Sequence, residues 1–252
     1  MPALVNTFLF VEPNDNYIEY GSVPLHQIVE ANRQLGQNIT ELMGADANPE
    51  RIKQILASKN PLLCSMIGHG SESVFTVQSL APLLHAENPD ELALMKDRVV
   101  LLTSCLTATT LGPALITSGS VVYAGYRKEF WFYIGDPPGA SRAVQSPFLA
   151  EFQLIASLLR GKNTGEARAD QLQKYDEEIM YWITGDGKNH ADASEISRIL
   201  ELNKSIRVFL GEASVSPSPQ AGRVLEAGIN PAITFAVAFT ALGYAIYKRV
   251  LT

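Results

Sequence analysis

The sequence predicts an α/β fold: a three-layer sandwich with a mostly parallel sheet covered by helices on both faces. Two observations carry this reading. Short apolar runs, Leu62 to Ile67 and Val99 to Thr103, are bounded by polar or glycine-containing segments, the pattern of strands buried on both faces. Such runs alternate with stretches of helical periodicity, and a strand-helix-strand order needs crossover connections that lay helices over a parallel sheet.

Taken in order, Thr7 to Val11 reads as a strand closed by the turn cluster Glu12-Pro13-Asn14-Asp15. Val23 to Leu35 carries helical periodicity through Leu25, Ile28, Val29 and Ala31, and Gly36 ends it. Ile39 to Met43 is a candidate second strand in which Glu41 is out of place. Asn48-Pro49-Glu50 reads as a helix cap with proline at the first helical position, ahead of Ile52, Ile55 and Leu56. A strand running into His69 follows, then a loop with two prolines and a helix over Glu91 to Lys96. The strand that runs into Cys105 precedes a helix over Thr109 to Thr117 and a buried strand over Ser120 to Ala124. Phe148, Phe152, Ile155, Ala156 and Leu159 form a helical stripe stopped by Gly161, and a further helix is expected over Thr164 to Trp182.

With 252 residues and 46% hydrophobic content, the chain is long enough for one sizeable α/β core plus an appendage. Its net charge of -6, without a basic stretch carrying aromatics, excludes a general nucleic-acid binder. Two cysteines, Cys64 and Cys105, provide no disulfide framework. The histidines at 26, 69, 85 and 190 lack the paired spacing of a zinc site, so neither a metal nor a cofactor is expected. The first residues, Met1 to Thr7, lack the basic region and apolar core of a secretory signal, which places the bulk of the chain in the cytoplasm.

The domain organisation expected is a catalytic domain over 1–212, a Ser/Pro-rich linker over 213–226, a transmembrane helix over 227–247 and a basic tail over 248–252. Ala227 to Tyr247 holds no charged residue over about 21 positions, enough to cross a hydrocarbon core of roughly 30 Å. Lys248 and Arg249 follow, and Tyr244 and Tyr247 sit where interfacial aromatics belong. Ala232, Ala236 and Thr240 make a small-residue face on which a homo-oligomer could pack. A buried terminal helix of the globular domain is the alternative. The expected placement is a single-pass C-terminal anchor with the catalytic domain in the cytoplasm.

The chemistry centres on His69 and Cys105. Catalytic groups gather at the carboxyl ends of parallel strands, and two adjacent strands ending in an imidazole and a thiol would form a cysteine nucleophile with its base. Gly70, without a side chain, lets its backbone N–H approach a substrate carbonyl oxygen and form an oxyanion site with the N–H of Cys105. Cys64, inside its strand, belongs to the core.

The strand into His69-Gly70 and the strand into Ser104-Cys105 resemble the His/Cys dyad of the caspase, gingipain, legumain and metacaspase superfamily of cysteine peptidases. Leu111-Gly112-Pro113-Ala114-Leu115 and Gly119 to Tyr126 are similar to the helix and strand after the nucleophile in gingipain-like bacterial members. Leu158 to Ala167 resembles their later helix junction, so the likeness covers roughly 5–185. It implies a caspase-like fold and a thiol endopeptidase. In it Cys105 attacks the scissile carbonyl, His69 handles the proton on the leaving amine, and the backbone of Gly70 and Cys105 holds the oxyanion. It also places substrate selection near the end of the first strand, at Glu12 and Asp15, and after the nucleophile strand, at Trp131 and Asp136. Acidic groups there would favour a Lys or Arg side chain of a peptide or protein substrate. Asp15 and Asp136 also suit plain turn roles. No processing site like that before a caspase small subunit is evident. The competing readings are a non-catalytic caspase-like scaffold or subunit of a membrane complex, and a different cysteine hydrolase, such as an amidase, on the same sheet.

Overall fold

A computed structural model describes residues 7–14 and 17–217. Asp15, the segment expected to cross a membrane and the basic tail lie outside the described residues. Among the described residues no helix is long and apolar enough to cross a membrane.

Six strands form the main sheet. They are β1 (Thr7–Glu12), β2 (Asn38–Met43), β3 (Leu63–Ile67), β7 (Val99–Thr103), β8 (Val122–Tyr126) and β9 (Arg207–Gly211), in the order β2-β1-β3-β7-β8-β9. All pairings are parallel except β8 with β9. A second, three-stranded sheet of β4 (His69–Gly70), β5 (Val74–Thr76) and β6 (Pro82–His85) is antiparallel and grows from the end of β3.

Because successive side chains of a strand face opposite ways, each central strand feeds two cores. On one face Leu9, Val11, Cys64, Met66, Val100 and Leu102 pack with α2 (Pro49–Lys59), α3 (Pro89–Ala93) and α4 (Leu111–Thr117). On the other, Phe8, Phe10, Leu63, Ile67, Val99 and Leu101 pack with α1 (Glu19–Gln34) and α5 (Arg142–Leu159). This is the expected three-layer arrangement. A further layer of α6 (Thr164–Ile183) and α7 (Ala193–Ile206) closes over α5 through Tyr175, Trp182, Ile196 and Leu200.

Local signals explain most boundaries. The Asn48 side chain accepts from Arg51 N–H with Pro49 at the first helical position of α2. Asn163 and Glu166 form a capping box at the start of α6, and Gly161 takes φ +88° where α5 must stop. Three segments depart from the sequence reading. Helix α1 begins at Glu19, earlier than expected, and carries Pro24 in its second turn at the loss of one hydrogen bond to the Tyr20 carbonyl. The loop expected after His69 holds the β5–β6 hairpin, and α7 with β9 completes the domain where nothing had been expected. Past β9 the chain is tied to the body: Gly165 N–H donates to the Ala213 carbonyl at 2.7 Å and Thr164 N–H to Val215 at 2.8 Å.

Candidate active site at the ends of two central strands

Strands β3 and β7 are hydrogen-bonded neighbours, and Ile67 stands in register with Thr103. One more link, Gly68 N–H to the Thr103 carbonyl at 3.3 Å, carries the pairing past the strand ends. His69 and Cys105 each lie two residues beyond that register pair, so both emerge at the same carboxyl edge of the sheet. Both residues are half-buried.

His69 is held through its backbone. It pairs with Thr76 across the small sheet, and its carbonyl accepts from the Thr76 hydroxyl at 3.4 Å. Its Nε2 atom is buried without a hydrogen-bond partner. The backbone that carries the imidazole is thus fixed, while its Nε2 is uncommitted.

Cys105 sits in a tight turn. Thr107 N–H donates to its carbonyl at 2.7 Å, and Leu106 takes φ +62°, a left-handed conformation that a leucine adopts only where its surroundings impose it. Leu106 N–H donates to the Lys128 carbonyl at 3.1 Å, anchoring the turn to the segment after β8. Below it, the Ser104 and Thr107 hydroxyls lie 2.9 Å apart, and Tyr123 donates to Thr107 at 2.9 Å. Burial pushes the Cys105 thiol above its ordinary value, and the Glu129 carboxylate adds to this. Backbone N–H groups of Phe130 and of Cys105 itself act in the opposite direction without prevailing. The resting Cys105 side chain is therefore a neutral thiol, and any reaction as a thiolate would first have to remove its proton.

Gly70 has a definite steric reason. A Cβ there would stand 2.5 Å from the Cys105 carbonyl oxygen and 2.6 Å from Thr107 Cγ2, so only glycine lets the histidine strand close against the cysteine turn.

The remaining sequence candidates are distributed unevenly. Trp131 is 48% exposed, while its neighbours Phe130 and Phe132 pack against Phe148 with ring centroids at 5.6 and 5.3 Å. Asn203, fully buried, brackets the Trp131 backbone: it accepts from Trp131 N–H at 3.0 Å and donates to its carbonyl at 2.6 Å. Asp136 is half-buried; burial first raises the Tyr20 phenol and the Asp192 hydrogen bond first raises that of Tyr133, and the Asp136 charge adds a smaller push to both. Glu12 is 1% exposed and stands with Glu41 of β2 and His26 of α1. Burial first, and the Glu41 charge second, hold its carboxyl well above the usual carboxylate range. A substrate side chain reaches Glu12 only if that cluster opens.

Sequence reasoning missed the polar network beneath β7. Glu151, on the apolar stripe of α5, accepts from Thr103 at 2.9 Å, from Gln171 at 2.9 Å and from Tyr126, and pairs with Arg207 at 3.1 Å. The available signal was a glutamate three residues after Phe148 and four before Ile155, inside the stripe instead of opposite it.

No protein-family model and no curated protein matches the chain. Among solved structures it is similar to a chain of the complex of Porphyromonas gingivalis RgpB pro- and mature domains. The TM-score is 0.50 and the identity 10%, with 84% of this chain and 48% of that chain covered. The chain thus spans about half the length of that relative. At this identity the likeness concerns the fold, and it supports the caspase-like α/β arrangement expected from the sequence.

Proposed function

We propose that the protein is a cysteine endopeptidase in which Cys105 is the nucleophile and His69 the proton carrier. The observation that carries this is the pairing of Ile67 with Thr103, which sends the imidazole-bearing and thiol-bearing ends of β3 and β7 off one edge, with Gly70 closed against the Cys105 turn. In the reaction the Cys105 sulfur forms a bond to the scissile carbonyl carbon as its proton passes to His69. The backbone N–H groups of Gly70 and Cys105 meet the developing oxyanion, where fixed donors act most strongly. The carbon–nitrogen bond then breaks, His69 returns a proton to the departing amine, and water cleaves the thioester to release the acid and restore the thiol.

Trp131, exposed beside the aromatic cluster, and Asp136 are the groups we assign to the substrate side chain: an indole face and a carboxylate suit the stem and charge of Lys or Arg. The uncharged segment 227–247 tethers this site to a membrane in the same reading.

The deciding experiment is hydrolysis of Lys- and Arg-containing fluorogenic peptides by the full chain, with labelling by a thiol-directed peptidyl probe. Cys105→Ala should abolish both. Turnover that persists in that variant overturns the assignment. A specific observation favours a second reading, a non-catalytic scaffold: the Cys105 thiol lies beside Glu129 and is held protonated by burial. Wild-type protein that neither cleaves any peptide of a broad library nor reacts with the probe would establish that reading.

A further inference from the structure

Away from the ends of β3 and β7, a second polar cluster lies under α1, and the peptidase reading makes no use of it. We propose that Glu12, His26 and Glu41 form a binding site for a divalent transition-metal cation with zinc-like preferences. One donor atom from each residue lies within 4.8 Å of the others, and the three come from three different elements, β1, α1 and β2. Register explains the convergence: Phe10 pairs with Glu41, so Glu41 and Glu12 share the face of the sheet that α1 covers.

The second observation is Glu12 itself. It is 1% exposed, and neither of its carboxylate oxygens meets a hydrogen-bond donor. The group beside it is the Glu41 carboxylate, another acceptor. The one contact open to Glu12 is a proton shared with Glu41, which keeps its buried carboxyl neutral, and a cation between the two groups would take that proton's place.

The surrounding contacts leave room for that partner. Arg33 of α1 reaches Glu41 at Oε2, 2.9 Å away, and Glu30 at 2.5 Å, so it is spent on groups other than Glu12. Glu41 Oε1 is engaged by His26 Nδ1 at 2.7 Å, a proton-mediated contact that an ion bridging the same two atoms would replace. Ligand atoms around a tetrahedral zinc stand roughly 3.4 Å apart, so no separation in the trio has to close by more than about 1.4 Å. With the cation bound, Glu12, Glu30 and Glu41 are balanced by Arg33 and the ion's two charges. One imidazole with two carboxylates suits zinc, whereas calcium and magnesium take all-oxygen sets. The side chain of His26 is 43% exposed and provides the entry side, leaving a fourth coordination position to water.

The test is zinc titration of the metal-stripped full chain carrying Cys105→Ala, so that the thiol contributes nothing, against a chromogenic chelator near neutral pH. One equivalent should bind, with release of protons and a rise in melting temperature. Glu12→Gln should weaken binding more than about tenfold, and so should His26→Ala at its half-exposed position, while calcium and magnesium at equal concentration do not compete. Circular dichroism shows whether each variant is folded. Absence of saturable binding, or undiminished binding in a folded Glu12→Gln or His26→Ala variant, overturns the site. The cluster is then a carboxyl pair sharing a proton.

Discussion

The Thr103 hydroxyl donates to Glu151 Oε1 at 2.9 Å, and through that carboxylate the last residue of β7 is tied to the buried guanidinium of Arg207 in β9. Arg207 is 1% exposed at its side chain, and it stacks over the Tyr126 ring at 4.6 Å and the Phe209 ring at 5.4 Å. Burial alone would lower its pKa, but Glu151 together with Tyr126, Tyr175 and Tyr123 more than offsets that and keeps it charged. The strand that ends two residues before Cys105 is thus anchored from the side by α5 and from the far edge of the sheet by β9.

Removing Glu151 should be among the most damaging single changes. Glu151→Leu leaves Arg207 charged and unpaired in the core, a loss of roughly 3–5 kcal/mol by urea denaturation. Glu151→Leu combined with Arg207→Met removes both charges and should recover at least about 1 kcal/mol of that loss, since the stranded charge is the larger cost. A double variant no more stable than the single would show that the hydrogen bonds from Thr103, Tyr126 and Gln171 dominate instead.

Gly70→Ala separates catalysis from folding. The added methyl would stand 2.5 Å from the Cys105 carbonyl, so the β4 segment and the cysteine turn must move apart. Displacement of about 1 Å at reacting groups costs on the order of 100-fold in rate. Peptide hydrolysis should fall by about that factor, while the far-ultraviolet spectrum is retained. Unchanged kcat/KM would remove Gly70 from the oxyanion assignment.

Asp136→Asn tests charge selection. If the carboxylate recognises a cationic side chain, kcat/KM for Lys and Arg peptides should drop by about tenfold relative to their norleucine counterparts. An equal change for charged and neutral substrates would return Asp136 to a role in its turn.

The layout of the sheet was legible because burial on two faces leaves an almost continuous apolar run, as in Leu63–Ile67 and Val99–Thr103. Asn48-Pro49 and Gly161 were legible because caps are local chemistry. The short β5 and β6 strands were not: their pairing partners lie in one another and in His69-Gly70, and Pro82 sits at an edge position where a missing N–H costs nothing. That His69 and Cys105 leave the sheet at one edge could be anticipated from two strand ends. The clusters around Glu151 and Glu12 join residues far apart in sequence, and only β2 lying beside β1 brings Glu41 to Glu12.

Alkaline conditions should unfold the protein through its buried acids. Burial pushes the Cys64 thiol up to about 12, and the Tyr123, Tyr126 and Tyr175 phenols are also raised. Each raised group favours the folded state fully below its unfolded value, near 9 for the thiol and 10 for the phenols, and that contribution is lost as pH climbs through the folded value. Stability from urea melts should therefore fall steadily above about pH 9. Cys64→Val should reduce the protons released on unfolding between about pH 9 and 12 by about one. An identical pH slope in that variant would mean that the thiol ionises inside the folded protein.

The two cysteines should differ sharply towards iodoacetamide. Cys64 is fully buried in β3 and should be alkylated only on unfolding. Cys105 is half-buried with a raised pKa, so its labelling should climb about tenfold per pH unit between pH 6 and 8, following the thiolate fraction. If His69 receives the proton only during attack on a bound carbonyl, His69→Ala should leave this alkylation profile within about threefold of wild type and reduce peptide hydrolysis by about 100-fold or more. A wild-type rate that is already flat below pH 7, and becomes pH-dependent in His69→Ala, would instead mean that a thiolate–imidazolium pair exists before substrate binds. The neutral resting thiol inferred from its burial would then be wrong.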